Sequence, residues 1–159
     1  STLVQLKGDD QVWDYLGKLN NNISQYTKSG SAAPNAVAMG EAAIALTFSH
    51  DGLQPTAEGY PIELSFPSDG TGYEVGATAL IKGGKAEEQE NAKLFIDFVT
   101  GLECQTAQNG DWARRPVRSD LTPVGLCELS ELDLGDYDFA YAATEKESIV
   151  EKWNDLTVG

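Results

Sequence analysis

His50 and Asp51 stand side by side, and Glu74 follows in the run Gly70-Thr71-Gly72-Tyr73-Glu74. These three side chains can hydrogen-bond a polyhydroxylated ligand, since one carboxylate accepts from two neighbouring hydroxyls and each charge-assisted bond is strong once desolvated. His50 is the only histidine of the chain. No nucleophile with an adjacent base accompanies it, no second histidine or cysteine pair completes a metal set, and no glycine-rich phosphate loop precedes a helix. The pattern points to binding without turnover, with no catalytic residue, no metal site and no cofactor expected.

The residues that hold such a cluster must come from a folded domain. A chain of 159 residues and 17.1 kDa can bury a core, as domains of that size hide roughly two-thirds of their unfolded surface. With 25 acidic against 11 basic residues the net charge is -14, which repels phosphate backbones and anionic membrane surfaces. Nucleic acid is excluded as a partner, and an anionic ligand needs a local cluster of donors to overcome the global field. No apolar run reaches the length of a membrane span, and residues 1–7 lack the charged and apolar regions of a signal peptide. Cys104 and Cys127 are the only cysteines. Either they close a disulfide across the Trp112–Pro123 loop or they are two separate buried thiols.

The elements follow from periodicity. Val12, Trp13, Leu16 and Leu19 form a helical stripe over residues 9–19, capped by Asp9 or Asp10, and Pro34 suits the first turn of a second helix ending near Met39. Ala42–Phe48 is an apolar run of strand length, and its carboxyl end is Ser49-His50-Asp51, the position where ligands bind in open α/β sheets. Residues 62–66 alternate like a half-exposed strand, Pro67–Gly72 is a turn-rich crossing, and Val75–Ile81 is a further apolar strand. Residues 87–102 carry Ala92, Phe95, Ile96 and Val99 on one face of a helix, a turn is expected over 105–109, and residues 137–153 are helical with Tyr141, Ile149 and Trp153 facing inward. Helices interleaved with apolar strands make the class α/β.

The segments KSGSAAPNAVAMGEAAIALTFSHD and YPIELSFPSDGTGYEVGATALIKGG, the helix EEQENAKLFIDFV, the run RRPVR and the terminal YDF with its later Trp carry a resemblance in collinear order. The chain resembles the carboxyl-terminal part of extracellular solute-binding proteins of bacterial ABC importers, in the ferric-binding-like, type II periplasmic-binding-protein family. The resemblance implies part of a hinged two-lobed α/β receptor, here without the preceding lobe segment. Residues 1–66 correspond to the second lobe, 67–117 to the hinge crossing and a first-lobe piece, and 118–159 to a helical segment packing on the second lobe. It also implies an extracytoplasmic location, periplasmic or lipid-anchored at the cell surface, and delivery of a small solute to a membrane permease. Self-association of the chain through surface left uncovered is a further expectation.

Iron carriers of this family use adjacent tyrosines, and no Tyr-Tyr pair occurs here. The His-Asp pair with the glutamate of GTGYE looks like the hexose-phosphate-binding subgroup, the AfuA type. By that similarity His50, Asp51 and Glu74 contact sugar hydroxyls; a phosphate needs amides, hydroxyls or helix amino termini, for which Thr71, Ser31 and Ser29 are the weaker candidates in this chain. A ferric-iron or phosphonate receptor is the alternative, and a hydrolase built on His50 the remote one.

Overall fold

A computed structural model describes residues 1–158 of the chain. The chain divides into two compact units, one formed by Ser1–Lys28, Ser65–Tyr73 and Leu132–Gly159, the other by Ser29–Leu64 and Glu74–Glu131. The turn-rich stretch 67–72 falls in the middle segment of the first unit.

In the first unit, helices α1 (Thr2–Lys7) and α2 (Asp9–Asn20) meet at Gly8, whose φ of 78° lies in the left-handed region that lets one helix stop and the next begin. Val4, Val12 and Leu16 are the buried aliphatic residues, with Leu3, Trp13, Leu19, Ile149, Trp153 and Leu156 packed on them. The last three come from α8 (Lys146–Val158), so the helical spacing read at Ile149 and Trp153 is realised. Tyr141 instead remains 38% exposed. It lies on α7 (Phe139–Thr144), a separate short helix that starts where the Asp138 carboxylate accepts from the amides of Ala140 and Tyr141. Neither Asp9 nor Asp10 caps α2: both sit in its first turn. Asp9 accepts from Trp13 Nε1 at 2.9 Å and from Lys152 Nζ at 2.8 Å, tying α2 to α8.

The second unit contains α3 (Ala32–Ala38), α4 (Ser49–Ala57), α5 (Ala86–Thr100), α6 (Leu102–Trp112) and a 3-10 turn, Leu129–Glu131. Helix α6 exceeds the single turn expected over 105–109. Its one enclosed face is polar: Gln105 and Asn109, one helical turn apart, are buried. Gln105 donates to Val99 O at 2.8 Å and accepts from Val117 N at 3.0 Å. Asn109 donates to Thr122 O at 2.7 Å and accepts from Val124 N at 2.9 Å. Two side-chain amides thus do for residues 117–124 what a neighbouring strand would do, satisfying peptide groups that have no ladder.

The expected strands over 42–48, 62–66 and 75–81 do not form among the described residues. Apolar sequence of strand length is necessary for a strand, but pairing is what makes one, and no segment within the described residues supplies the second row of peptide groups. Ile44, Leu46, Val75 and Ile81 accordingly stand 82, 72, 63 and 82% exposed. Alternation does persist over 62–66, where Ile62, Leu64 and Phe66 are half-buried and Glu63 and Ser65 exposed. Helix α5 keeps Ala92, Ile96 and Val99 half-buried while Leu94, Phe95 and Phe98 face solvent. Apart from Pro34 and Pro55, no aliphatic or aromatic side chain of the second unit is buried among the described residues. Cys104 and Cys127 are both free, partly buried thiols, so the disulfide expectation gives way to the two-thiol one. Gln108 Nε2 lies 3.1 Å from Cys104 Sγ, and the Arg115 guanidinium is committed to the Cys127 carbonyl.

Candidate functional site

Ser49, His50 and Asp51 are the first residues of α4 and not the end of a strand. Phe48 takes the N-cap position with an extended backbone, and the amides of Asp51 and Gly52 return to its carbonyl at 3.1 Å each. The carboxylate of Asp51 therefore sits in the first turn, the end of a helix that favours negative charge. Pro55 lies inside the same helix and has no N–H, so the Asp51 carbonyl four residues earlier lacks its usual helical donor.

The two side chains are mostly enclosed, His50 at 18% and Asp51 at 22% exposure. His50 Nε2 stands 3.7 Å from Asp51 Oδ2, beyond hydrogen-bond length, so both groups keep capacity for a third molecule. The Phe48 ring stacks on the imidazole with centroids 5.4 Å apart and planes 14° from parallel. The turn that leads into α3 lies against this cluster: Thr47 Oγ1 donates to the Gly30 carbonyl at 2.9 Å, and the hydroxyls of Ser29 and Ser31 are 3.0 Å apart.

Burial holds the His50 pKa below its usual value, the positive charge of Arg114 pushes it the same way, and Asp51 opposes them. A neutral ring both donates and accepts a hydrogen bond, as a hydroxyl ligand requires. The consequence for stability has a definite sign. Because the folded pKa is depressed, the unfolded chain takes up the proton first, so stability is present above pH 6.5 and is lost as pH falls from there through the folded pKa. As His50 is the only histidine, His50→Gln should remove this segment of the Tm-against-pH curve between pH 7 and 5. Parallel curves for the two proteins would contradict the burial argument.

The structure thus brings together His50, Asp51, Ser29 and Ser31, and adds Phe48, Thr47 and Gly30, which the sequence reading passed over. Adjacency in sequence could have pointed to Phe48 and Thr47, and Gly30 lies between the candidates Ser29 and Ser31, but nothing in the sequence pointed to its contact with Asp51. Glu74 is exposed in the same unit, with no hydrogen bond or ion pair to the cluster. Thr71 belongs to the first unit, where its amide donates to Asp133 O at 2.8 Å. Of the RRPVR arginines, Arg118 makes two 2.8 Å bonds to Asp120, whereas Arg114 is exposed and forms no ion pair among the described residues.

Comparison with known proteins gives the family and the fold. A family model described as bacterial extracellular solute-binding protein matches residues 2–125. An uncharacterized protein of Haemophilus influenzae is 38% identical over 159 residues, covering 96% of this chain and 45% of that protein. The structure of the periplasmic binding protein AfuA from Actinobacillus pleuropneumoniae, with exogenous fructose-6-phosphate bound, superimposes with a TM-score of 0.84 at 37% identity, over 98% of this chain and 50% of that one. The chain therefore spans about half the length of the relatives it matches, and the α/β periplasmic-binding-protein fold expected from sequence is the fold it shares with them. The family-model match over residues 2–125, with the collinear structural match, identifies the chain as a member of the bacterial extracellular solute-binding protein family.

Proposed function

We propose that this chain forms part of the substrate-binding component of an ABC importer, acts outside the cytoplasmic membrane, and grips the hydroxyls of a sugar phosphate with His50 and Asp51. The observation that carries this reading is the pair itself, mostly enclosed on the first turn of α4 and 3.7 Å apart, with neither group consumed by the other. The family and the fructose-6-phosphate bound to AfuA support the ligand class. The stacked Phe48 adds an apolar surface of the kind on which the C–H face of a sugar packs. Ser29 and Ser31 offer hydroxyls for the phosphate, and Glu74 is a further ligand contact in the assembled receptor. Binding proceeds without turnover, because among the described residues none of the neighbouring hydroxyls is hydrogen-bonded to His50, the base that could activate one as a nucleophile. The captured solute is handed to a membrane permease.

The single histidine makes the test direct. The ring resonances of His50 in the proton NMR spectrum should shift saturably as fructose 6-phosphate is added, with half-saturation at roughly millimolar concentration. Inorganic phosphate alone should move them less. Ring signals of the folded protein that stay unmoved at tens of times that concentration would overturn the proposal, and inorganic phosphate accumulating in the phosphorus spectrum would overturn its non-catalytic part.

A further inference from the structure

Glycine at position 30 is not required by the backbone: its φ is not among the positive values found at Gly8, Gly40, Gly59, Gly70, Gly83, Gly84, Gly125 and Gly135. Alanine could adopt the same conformation. What alanine could not do is fit. A β-carbon at Gly30 would collide with Oδ2 of Asp51, lie 3.3 Å from its Cγ and come within 3.8 Å of Phe48 Cδ2. The turn has little freedom to retreat, since Thr47 Oγ1 holds the Gly30 carbonyl at 2.9 Å. Nor is the carboxylate on a long tether: Asp51 has a single methylene between backbone and acid, on a helical turn where few rotamers are open.

We propose that Gly30 is a positioning residue for Asp51, its bare α-carbon forming the seat for the carboxylate and thereby fixing which pair of ligand hydroxyls the acid can accept. The inference rests on the binding reading above and adds a determinant of selectivity to it. A β-carbon at position 30 forces Asp51 into another rotamer, moves the carboxylate relative to the imidazole 3.7 Å away, and so breaks the alignment that two adjacent hydroxyls of a sugar need. The same crowding occurs at Gly72 against Thr2 and at Gly135 against Leu6, but there the neighbours are the hydroxyl and methyl groups of packing residues. Gly30 is distinguished by pressing on a charged group of the site.

Gly30→Ala, Asp51→Ala and the double variant are compared with the unaltered chain by the His50 NMR titration with fructose 6-phosphate and by thermal unfolding. Gly30→Ala should weaken binding roughly tenfold or more. The double variant should bind no more weakly than Asp51→Ala alone, because the seat matters only when a carboxylate occupies it. Should Gly30→Ala prove too unstable to titrate, the double variant decides the matter: removing the carboxylate should relieve the collision and return Tm to that of Asp51→Ala. Unchanged affinity in a folded Gly30→Ala protein, or a double variant as destabilised as Gly30→Ala, would overturn the proposal. An Asp51→Ala protein that binds like the unaltered chain would overturn the binding reading instead, and the recovery of Tm would still decide whether Gly30 seats Asp51.

Discussion

Asn109→Ala is expected to lower the stability of the chain by about 3 kcal/mol, because it removes a buried side chain together with the two hydrogen bonds it makes to the 117–124 segment. The carbonyl of Thr122 and the amide of Val124 have the Asn109 side chain as their partner, at 2.7 and 2.9 Å in part-buried bonds. For a chain of this length the loss corresponds to a fall in Tm of roughly 6 to 12 °C. Asn109→Asp is the informative companion: it keeps the acceptor for Val124 and removes the donor to Thr122, so it should fall between the two. Calorimetric unfolding of both variants checks the prediction, and a Tm within 1 °C of the unaltered protein, on the order of experimental scatter, would show that the loop is held by something else.

The second large effect belongs to ligand binding. Asp51→Ala removes the acceptor for charge-assisted hydrogen bonds worth roughly 1.5 to 3 kcal/mol, so affinity for fructose 6-phosphate should fall by roughly 10- to 150-fold. Asp51→Asn keeps the shape and one acceptor oxygen but loses the charge, and should retain part of the affinity. Equal losses in the two variants would mean that charge, not hydrogen-bond geometry, carries the interaction. The measurement is the saturation curve of the His50 ring signals, read alongside far-ultraviolet circular dichroism to verify that α4 persists.

The parts of this molecule that could be read from its sequence are those decided within one or two helical turns. Helix α2 is visible in Val12, Trp13 and Leu16, and α5 in Ala92, Ile96 and Val99, because period 3.6 is written locally. Helix α6 hides because its enclosed face is Gln105 and Asn109, so a search for an apolar stripe finds none. Residues 42–48 and 75–81 show the opposite failure. Their composition is that of strands, yet a ladder needs a partner elsewhere, and composition cannot announce whether the partner is present. The same division runs through the site. His50 and Asp51 were legible as neighbours in sequence, but placing them at the end of a strand rather than the start of α4 followed from that misread ladder. Gly30 became visible only when a turn twenty-one residues earlier was found touching the Asp51 carboxylate.

The first unit is stitched from segments far apart in the chain, with Asp9 paired to Lys152 across a sequence separation of 143 residues. During synthesis at 5–20 residues per second, roughly 7 to 29 s separate the emergence of these two partners. Through that interval the faces of Val4, Val12 and Leu16 that α8 covers lack that partner, and the whole of the second unit is translated before α8. A nascent chain halted before α8 should therefore recruit holding chaperones through α1 and α2, and release them only when Trp153 arrives.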